Sequence, residues 1–512
     1  MNVGTPKARD VPHRHQPLRL RRLGIDTHQE AVIYMRSDCH VCRAEGFSAH
    51  ARVRVESTGR SIIATLNQVT SDLLRDGEAS LSEAGWLLLQ AQEGNEVTLS
   101  HPAPVMSLGR VRAKVFGERL GDDSFAEVVR DVVAGRYSDI ELSSFVTACS
   151  ARGLDRNETE ALTRAMIDAG ESLEWGRSPI VDKHCVGGLP GNRTTPIVVA
   201  IVAACGLTIP KTSSRAITSP AGTADTMETL APVDLDIPSM RRVVEREGGC
   251  IVSGGAMRLS PADDVLIRIE RALDLDSEGQ LVASVISKKV AAGSTHLVLD
   301  LPVGPTAKVR GPEAAEALAR SLVGTAAAFG VEARVILSDG VQPVGRGIGP
   351  ALEARDVLAV LTREPDAPAD LRARSVRLAG ALLELAGAAE AGTGEVRSGR
   401  VLSDGGAWDK FQRICAAQGG MRVPPTADYR QPIVAKAAGR IAAIDNRRIA
   451  RVAKLSGAPE AKAAGVALHV RLGDRIGVGD PLYSIHAESP GELAYAQEYA
   501  AANQDLIGVE DT

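Results

Sequence analysis

One polar, glycine-rich stretch, residues 181–228, constrains the fold of this chain more than any other part of its sequence. It opens with a Lys-His-Cys segment (183–185), which we interpret as a turn, followed by Gly187 and Gly188. A run of small apolar residues comes next, over 197–205. Because a helix that is apolar on all sides is a buried helix, the sequence predicts a glycine-rich turn leading into a helix inside the core.

This arrangement predicts a phosphate-binding site. The first backbone N–H groups of a helix have no partner within the helix, and the positive end of its dipole attracts anions. A second cluster downstream adds six hydroxyl groups around one guanidinium: Thr212, Ser213, Ser214, Arg215, Thr218, Ser219 and Thr223. Hydroxyls around an arginine suit an oxyanion better than they suit a core. A lone glycine-rich turn such as 345–349 is usually a plain strand–helix connection.

Length and composition exclude several classes of protein. A chain of 512 residues is long enough for three or four domains, and 44% hydrophobic and 24% charged residues are ordinary for a globular enzyme. A formal charge of −5 argues against a nucleic-acid-binding surface. No apolar run has the length of a membrane span, and the first residues lack the apolar core of a secretory signal. Seven scattered cysteines are typical of reduced thiols in the cytoplasm.

The patterning divides the chain into five parts and predicts an α/β multidomain protein. We expect a disordered tail over 1–16, a β-rich domain over 17–105, a helical lobe over 106–175, an α/β lobe with returning helices over 176–422, and a barrel-sandwich-like β-rich domain over 423–512. Strand-like LVLDLPVG and ARVILSD flank a helical segment, which is the alternation of a covered parallel sheet.

Several local features of these domains can also be predicted. One helix is expected within the first β-rich domain, at about 82–91. Ser124 with Glu127, and Ser138 with Glu141, have the spacing of a capping box and should each start a helix. The charged and glycine-rich residues near 392–406 indicate a loop.

The pair Cys39 and Cys42 forms a CxxC motif, with His50 near it in the sequence. A zinc site normally needs two such half-sites, and only one is present. We therefore interpret the pair as two unbonded thiols at the end of a strand, with metal or redox chemistry as the alternative.

Three motifs in the central stretch resemble a known family. KHCVGG (183–188), PGNRTT (190–195) and SSRAITSPAGTADTME (213–228) are similar to the signature of the thymidine phosphorylase family, and most closely to its longer branch, which includes AMP phosphorylase. The resemblance runs from about Val111 to the C-terminal region, and that branch also carries an N-terminal extension. It implies a helical lobe and an α/β lobe of the nucleoside phosphorylase/phosphoribosyltransferase type, and phosphate-dependent cleavage of an N-glycosidic bond.

The resemblance also implies which residues bind phosphate. The family's lysine, hydroxyls and threonine match Lys183, Thr195, Ser213 and Thr223, with Thr194 as an alternative to Thr195. The full set of candidates is Lys183, Gly187, Gly188, Thr194, Thr195, Ser213 and Thr223. The chain departs from the family at Cys185, where a serine is usual, and a thiol is a weaker donor.

On the nucleoside side, the resemblance implies that Ser284 and Lys288 bind the base. They lie four residues apart, so a helix presents both on one face, whereas Lys289 is expected to face solvent. The candidates for nucleoside or nucleotide binding are Ser214, Arg215, Ala216, Ile217, Thr218, Ser219, Ser284, Lys288 and Lys308.

The resemblance implies that Asp276 is the counterpart of the proton donor of AMP phosphorylase, which makes it the first catalytic candidate. An acid needs a raised pKa, yet Asp276 precedes a helix whose positive end would lower that pKa. A simple N-cap role for Asp276 is the alternative. His184, beside Lys183, is the second catalytic candidate, with a structural role as its alternative.

The substrate remains open between thymidine, or another pyrimidine nucleoside, and a nucleoside 5′-monophosphate. Members of the family that act on pyrimidine nucleosides have an arginine that contacts the ring carbonyl. In this chain Arg268 and Arg271 lie on either side of the expected position, and neither occupies it. Cations also outnumber what one inorganic phosphate requires; they are Lys183, Arg193, Arg215 and Lys308. Against this, surplus cations often pair with carboxylates such as Asp225.

Two other classes of function are weaker. One is a non-catalytic nucleotide-binding protein, which the presence of Lys183, Ser284 and Lys288 disfavours. The other is a phosphoribosyltransferase with a Mg²⁺–pyrophosphate site at Asp225 and Glu228. We expect no cofactor and no metal, inorganic phosphate as co-substrate, no nucleic-acid or membrane partner, and a homo-oligomer that is at least a dimer.

Overall fold

In the computed structural model, residues 17–216, 219–257, 259–275 and 277–511 are described. The expected tail over 1–16 therefore lies outside the described residues. The chain forms two compact units. One comprises Met1–Arg112 and Arg130–Phe145, and the other comprises Ala113–Val129 and Val146–Thr512.

The first unit contains a closed six-stranded barrel. Its strands are β1 (Leu18–Leu20), β2 (Val32–Arg36), β3 (Arg52–Ser57), β4 (Arg60–Val69), β5 (Glu78–Leu81) and β6 (Glu96–Ser100), in the order β1-β5-β2-β4-β3-β6. Alternate residues of β3 and β6 point inward, as the period of a strand requires. The predicted helix is α2 (Glu83–Leu89), capped by the Ser82 side chain.

The two cysteines of the CxxC motif lie at the start of a short helix, α1 (His40–Glu45), which the sequence analysis did not predict. Cys39 is the N-cap and its sulfur accepts a hydrogen bond from the Cys42 backbone N–H at 3.2 Å. Both thiols are buried and unbonded to another cysteine. Over the described part of the chain, no group of three or more His, Cys, Asp or Glu side chains could hold a metal ion.

Four helices follow the barrel: α3 (Leu108–Val115), α4 (Asp122–Val133), α5 (Asp139–Arg152) and α6 (Arg156–Asp168). The capping box predicted at Ser138 and Glu141 is present, with hydrogen bonds in both directions. The one predicted at Ser124 is wrong, because α4 begins two residues earlier and Ser124 lies within its first turn. Two aspartates, at 122 and 123, favour that earlier start by facing the positive end of the helix dipole.

A parallel α/β region forms the centre of the second unit. Its elements are β7 (Val181–Cys185), α7 (Thr194–Ala204), β8 (Ile209–Ser213), α8 (Thr223–Glu228), α9 (Ile237–Glu247), β9 (Gly249–Ser253), α10 (Pro261–Leu273), α11 (Glu278–Ala291), β10 (His296–Val303), α12 (Pro312–Ala328) and β11 (Glu332–Asp339). One sheet has the order β11-β10-β7 and another pairs β8 with β9, all in parallel. The βαβ unit β10-α12-β11 is the predicted one.

The central stretch differs from the sequence prediction in one element and agrees with it in another. Residues 183–185 are not a turn; they form the end of β7, because Lys183 pairs with Val298 and His184 with Leu299 of β10. The apolar helix is present as α7, and all of its residues from Thr194 to Ala203 are buried.

The helices α13 (Pro350–Thr362), α14 (Ala369–Leu385), α15 (Gly394–Ser403) and α16 (Gly406–Ala417) return along the α/β region. The loop predicted over 392–406 is wrong, since α15 occupies most of it. A side chain at Gly394 would lie 2.2 Å from the Gly380 carbonyl oxygen. The glycines therefore allow α14 and α15 to pack closely, rather than marking a loop.

The C-terminal domain contains two small sheets. Its elements are β12 (Gly347–Ile348), β13 (Tyr429–Val434), β14 (Gly439–Ile444), α17 (Asn446–Leu455), β15 (Gly465–Leu468), β16 (Arg475–Ile476), β17 (Pro481–Ala487), α18 (Pro490–Ala502) and β18 (Ile507–Glu510). The sheets have the orders β12-β15-β17-β13 and β16-β14-β18. The helices α17 and α18 were not predicted. Within the described ranges, no helix is long and apolar enough to cross a membrane.

Candidate active site

The predicted phosphate-binding residues meet where two parallel strands end and one helix begins. Lys183 lies on β7, and Ser213 is the last residue of β8. A bridge between Ile180 and Thr208 sets these strands side by side, so their carboxyl ends meet at one edge. Helix α7 starts at Thr194 after the glycine-rich turn. Ligands of open α/β sheets bind at this kind of edge.

Lys183 is a buried cation whose partners are hydroxyl groups. Its side chain is 1% exposed, and Nζ donates hydrogen bonds to Thr194 Oγ1 at 2.6 Å and Thr195 Oγ1 at 3.4 Å. It forms no ion pair with any described carboxylate. Burial lowers the pKa of Lys183, because the charge has lost its water. The charge of Asp300, which forms no ion pair with Lys183, offsets part of this cost, and an anion bound beside Lys183 would offset more of it.

Two further hydroxyls lie at this edge. The Ser213 hydroxyl is buried and has no hydrogen-bond partner among the described residues. Thr223 is the first residue of α8, and its Oγ1 accepts a hydrogen bond from Arg193 Nη1 at 2.8 Å. Because Arg193 immediately precedes α7, this bond brings the starts of the two helices together.

The paired glycines shape the turn between β7 and α7. Gly187 and Gly188 have φ values of 96° and 77°, a region that favours glycine. A Cβ on Gly188 would lie 2.6 Å from the Lys308 backbone nitrogen, whereas a Cβ on Gly187 would meet nothing within 4 Å. Gly188 therefore lets Lys308, another predicted site residue, approach the turn.

Cys185, where the family has a serine, belongs to a buried polar group that the sequence analysis did not identify. Asn192 Nδ2 donates to Cys185 Sγ at 3.1 Å and to Asp300 Oδ2 at 3.0 Å. Burial raises the pKa of Cys185 to about 11, so the group is a neutral thiol at pH 7. A charged residue inside the apolar run LVLDLPVG was the one signal for Asp300.

Two of the four surplus cations are already neutralised. Arg193 Nε lies 2.6 Å from Glu353 Oε2. Arg215 pairs with Glu228 at 2.8 Å, Asp234 at 2.9 Å and Asp225 at 3.4 Å. The count of cations therefore gives less support to a second anionic group than the sequence indicated.

Ser284 and Lys288 lie together on α11, as their spacing predicts. Lys288 Nζ donates to Ser284 Oγ at 3.0 Å and to Asp263 Oδ2 at 2.7 Å. Asp263, on α10, is buried and was not predicted. Ser284 and Lys288 thus offer hydrogen-bond donors to a ligand, and the buried Asp263 carboxylate orients the Lys288 ammonium.

Lys289 does not face solvent, contrary to the prediction. Its side chain is 3% exposed and Nζ lies 2.7 Å from Asp182 Oδ2. Lys211 approaches Asp182 Oδ1 at 3.2 Å, so one buried carboxylate holds two lysines. Most residues of α11 are buried, including Lys289, so this position does not face solvent. The only sequence signal for Asp182 was its place beside Lys183.

His184 is surrounded by positive charge. Burial lowers the pKa of its imidazole well below its usual value, and the neighbouring lysines at 289, 211, 288 and 183 lower it further. His184 is therefore a neutral imidazole at pH 7, suited to hydrogen bonding rather than to carrying charge.

Three predicted residues, Ile217, Thr218 and Asp276, lie outside the described residues. The N-cap of α11 is Ser277, whose side chain accepts the Gln280 N–H at 3.3 Å.

The remaining predicted residues belong to the segment between β8 and α8. Ser214 and Arg215 follow β8 directly, and the Ala216 N–H donates to Asp225 Oδ2 at 2.6 Å. The Ser219 hydroxyl donates to the Ala221 carbonyl oxygen at 2.9 Å.

Three family models match the chain. Residues 110–170 match a glycosyl transferase family, helical bundle domain, and residues 177–408 match the a/b domain of the same family. Residues 440–506 match the pyrimidine nucleoside phosphorylase C-terminal domain.

The chain is also similar over its whole length to known proteins. It is 61% identical over 505 residues to a protein of Polaromonas sp. named "Putative thymidine phosphorylase", covering 99% of this chain and 98% of the relative. A protein of Sphingopyxis alaskensis with the same name is 56% identical over 511 residues, covering 100% of this chain and 99% of that one.

A solved structure shares the central fold. Anthranilate phosphoribosyltransferase from Thermus thermophilus matches with a TM-score of 0.51 at 22% identity, covering 61% of this chain and 99% of that one. At this identity the match shows the fold alone. The near full-length relatives together with the three domain matches show that this chain belongs to the thymidine phosphorylase family of glycosyl transferases.

Proposed function

We propose that this enzyme cleaves the N-glycosidic bond of pyrimidine nucleosides with inorganic phosphate, converting thymidine to thymine and 2-deoxyribose 1-phosphate. The observation that carries the proposal is the buried Lys183 ammonium, which has hydroxyl partners and no ion pair with a described carboxylate. The names of the relatives and the C-terminal domain match support the nucleoside class.

The reaction places three demands on the chain. A phosphate oxygen forms a bond to C1′ while the C1′–N bond breaks, and the bonding electrons leave with the base nitrogen, which then gains a proton. Phosphate must be aimed, the sugar held, and the negative charge developing on the base stabilised. Orientation of two reactants and fixed electrostatic groups supply most of the acceleration in such a site.

In our proposal, phosphate binds at the carboxyl edge of β7 and β8. Lys183 supplies the counter-charge, and the Ser213 hydroxyl supplies a donor that has no partner within the described protein. Thr194, Thr195 and Thr223 add hydroxyls, and the glycine turn and the start of α7 add backbone N–H groups.

The base side is assigned to Ser284 and Lys288, which donate to the ring carbonyl and stabilise the departing base. We assign proton donation to Asp276 rather than to His184, because burial, together with the lysines around His184, lowers its pKa and keeps its imidazole neutral. In this assignment His184 orients the base or sugar by a hydrogen bond.

A nucleoside 5′-monophosphate is the second candidate substrate, and Arg215 is the observation that favours it. Its side chain is 41% exposed and lies in the predicted substrate segment. The 5′-phosphate of a bound nucleotide could therefore replace Glu228 as the ion-pair partner of Arg215. Cleavage would then give a ribose 1,5-bisphosphate. Ion pairing of Arg215 to three carboxylates favours the nucleoside.

A substrate panel separates the two candidates. We would incubate wild type and Arg215→Ala with phosphate and each of thymidine, uridine, AMP and the pyrimidine 5′-monophosphates, and measure free base. The nucleoside proposal predicts that wild type and Arg215→Ala both prefer thymidine to every 5′-monophosphate. If wild type cleaves only 5′-monophosphates, the substrate is a nucleotide. In that case Arg215→Ala should lose activity by an amount equivalent to the ~1.5–3 kcal/mol of a charged hydrogen bond. Arg372→Ala, which removes a hydrogen bond to Ser403, is the matched control.

We further propose that the reaction needs no metal and no cofactor. Asp225 and Glu228, the carboxylates that could hold Mg²⁺–pyrophosphate in a phosphoribosyltransferase, are engaged by Arg215 and Lys462. Full activity in a chelating agent is the expected result, and restoration of lost activity by Mg²⁺ would contradict it.

A further inference from the structure

The tetrapeptide Lys-Ala-Ala-Gly occurs twice in the C-terminal domain, starting at Lys436 and at Lys462, and the two lysines have different surroundings. Lys436 Nζ donates to the Gln504 amide oxygen at 2.9 Å, on the exposed surface. Lys462 leaves its own domain and reaches α8, where Nζ lies 2.9 Å from Glu228 and 3.4 Å from Asp225. Identical local sequences thus have one surface lysine and one lysine directed at the candidate active site.

Asp225 is the residue through which Lys462 could act on that site. It is 2% exposed, and its Oδ2 accepts the backbone N–H of Ala216 at 2.6 Å and of Gly222 at 2.9 Å. One carboxylate oxygen therefore holds two points of the segment between β8 and α8. A Cβ on Gly222 would lie 2.5 Å from the Arg215 carbonyl carbon, so these two points are packed together.

The other carboxylate oxygen of Asp225 is held by cations. Lys462 and Arg215 both lie 3.4 Å from Oδ1. Three carboxylates meet here, Asp225, Glu228 and Asp234, and these two cations offset two of the three negative charges. Without Lys462, Arg215 alone would face all three, and the like charges of Asp225 and Glu228 on one helix would repel.

The backbone around Lys462 is fixed, so its reach toward α8 is not accidental. The Lys462 carbonyl accepts the N–H of Ala351 at 3.0 Å, at the start of α13. The next N–H, of Ala463, donates to the Glu488 carboxylate at 2.7 Å. Strand β15 then begins at Gly465 and pairs with β12. The ammonium is thus presented from an ordered backbone that contacts the α/β region on one side and the C-terminal sheet on the other.

We propose that Lys462 is a positioning residue through which the C-terminal domain fixes Asp225 and, with it, Ala216 and Gly222, which lie in the region assigned above to the nucleoside. The inference rests on the proposed function for the role of that region. It assigns to the C-terminal domain a direct part in substrate affinity, although that domain contributes no residue to the proposed phosphate-binding set.

The kinetic test compares Lys462→Met, Lys462→Arg and the control Lys436→Met, with nucleoside and phosphate varied separately. Because partly exposed ion pairs are weak, we expect Lys462→Met to raise the KM for nucleoside about two- to fivefold. We expect the KM for phosphate to change less than twofold, Lys462→Arg to restore most of the affinity, and Lys436→Met to resemble wild type. Equal effects on both substrates, or no rescue by arginine, would overturn the proposal.

A second readout does not depend on activity. Trypsin cleaves after Arg215, within the segment that Asp225 holds, and mass spectrometry can follow that single cleavage in the folded protein. Lys462→Met should accelerate it about threefold or more, while Lys462→Arg and Lys436→Met should not. An unchanged cleavage rate in Lys462→Met would show that Lys462 does not order the segment, whatever the enzyme's substrate proves to be. If wild type cleaves no nucleoside but trypsin still cuts Lys462→Met faster than wild type, the proposed function is rejected and the positioning role of Lys462 stands.

Discussion

Two buried lysines illustrate how a site differs from a core at the scale of single residues. Lys183 and Lys289 are both almost fully buried, at 1% and 3% exposure. Lys289 forms an ion pair with Asp182, whereas Lys183 donates hydrogen bonds only to hydroxyls among the described residues, and the charge of Asp300 acts on it without an ion pair. A buried charge without a counter-charge is costly unless a ligand supplies one. The asymmetry between the two lysines is what we interpret as the phosphate site.

The orphan hydroxyl of Ser213 gives a prediction at this scale. Since Ser213 Oγ has no partner among the described residues, Ser213→Ala should leave the melting temperature unchanged or slightly raised. Loss of a hydrogen bond to a charged phosphate should weaken phosphate affinity about ten- to a hundredfold. Thermal unfolding and the KM for phosphate, measured on the same preparation, test both halves. A fall in stability with normal phosphate affinity would make Ser213 a packing residue.

His184 provides a prediction on pH. Its lowered pKa means that the imidazole stays neutral between pH 6 and 8, so its NMR signals, identified with His184→Gln, should not shift in that window. The unfolded chain takes up a proton near pH 6.5 that the folded chain does not, so this residue makes the protein less stable as the pH falls below 6.5. Titration of His184 near 6.5 would show that neither burial nor the lysines lower its pKa.

The residues that stand within the family motifs could be singled out from the sequence, whereas the carboxylates that form ion pairs with the lysines could not. Lys183, Ser284 and Lys288 could be predicted because each stands in a recognisable local pattern. Asp182 could not be matched to Lys289, 107 positions away, because no local pattern encodes a contact between distant strands and helices. Asp263 was missed for the same reason, since it meets Lys288 only once α10 and α11 have folded.

At the scale of elements, the glycine turn between β7 and α7 is the feature on which the site depends. Gly187→Ala and Gly188→Ala both place a side chain at positive φ, but only the second also collides with backbone, at Lys308. We expect Gly187→Ala to cost stability with activity largely kept. Gly188→Ala should lose on the order of 10²-fold in kcat/KM, because small displacements of positioned groups have that effect. Equal activity in the two variants would mean that the approach of Lys308 does not matter.

Elements with a strong periodic pattern could be predicted, and those defined by tertiary packing could not. Helix α7 and the unit β10-α12-β11 follow from apolar runs and their alternation with helices. Helix α15 was mistaken for a loop because its glycines suggest a turn, whereas they serve a close contact with α14. The end of β7 was mistaken for a turn because its polar residues hide the parallel pairing with β10.

At the scale of the whole molecule, the N-terminal barrel contains none of the predicted site residues. Its contacts within its own unit include Arg52, which donates to the Gly135 carbonyl oxygen at 2.6 Å. We predict that the barrel promotes subunit association. A variant that begins at Pro104 should sediment as an assembly of fewer subunits than the full chain and retain phosphorolysis. An unchanged number of subunits with lost activity would indicate instead that the barrel takes part in substrate binding.

The central claim, that a buried lysine at the edge of β7 binds the attacking phosphate, is tested most directly by one measurement. The initial rate of base release from thymidine is followed against phosphate concentration for wild type, Lys183→Ala and the surface control Lys436→Ala. The account predicts saturation by phosphate in wild type and in the control, and a loss on the order of 10²–10³ in rate for Lys183→Ala. A near-normal rate with unchanged phosphate dependence in Lys183→Ala would contradict it.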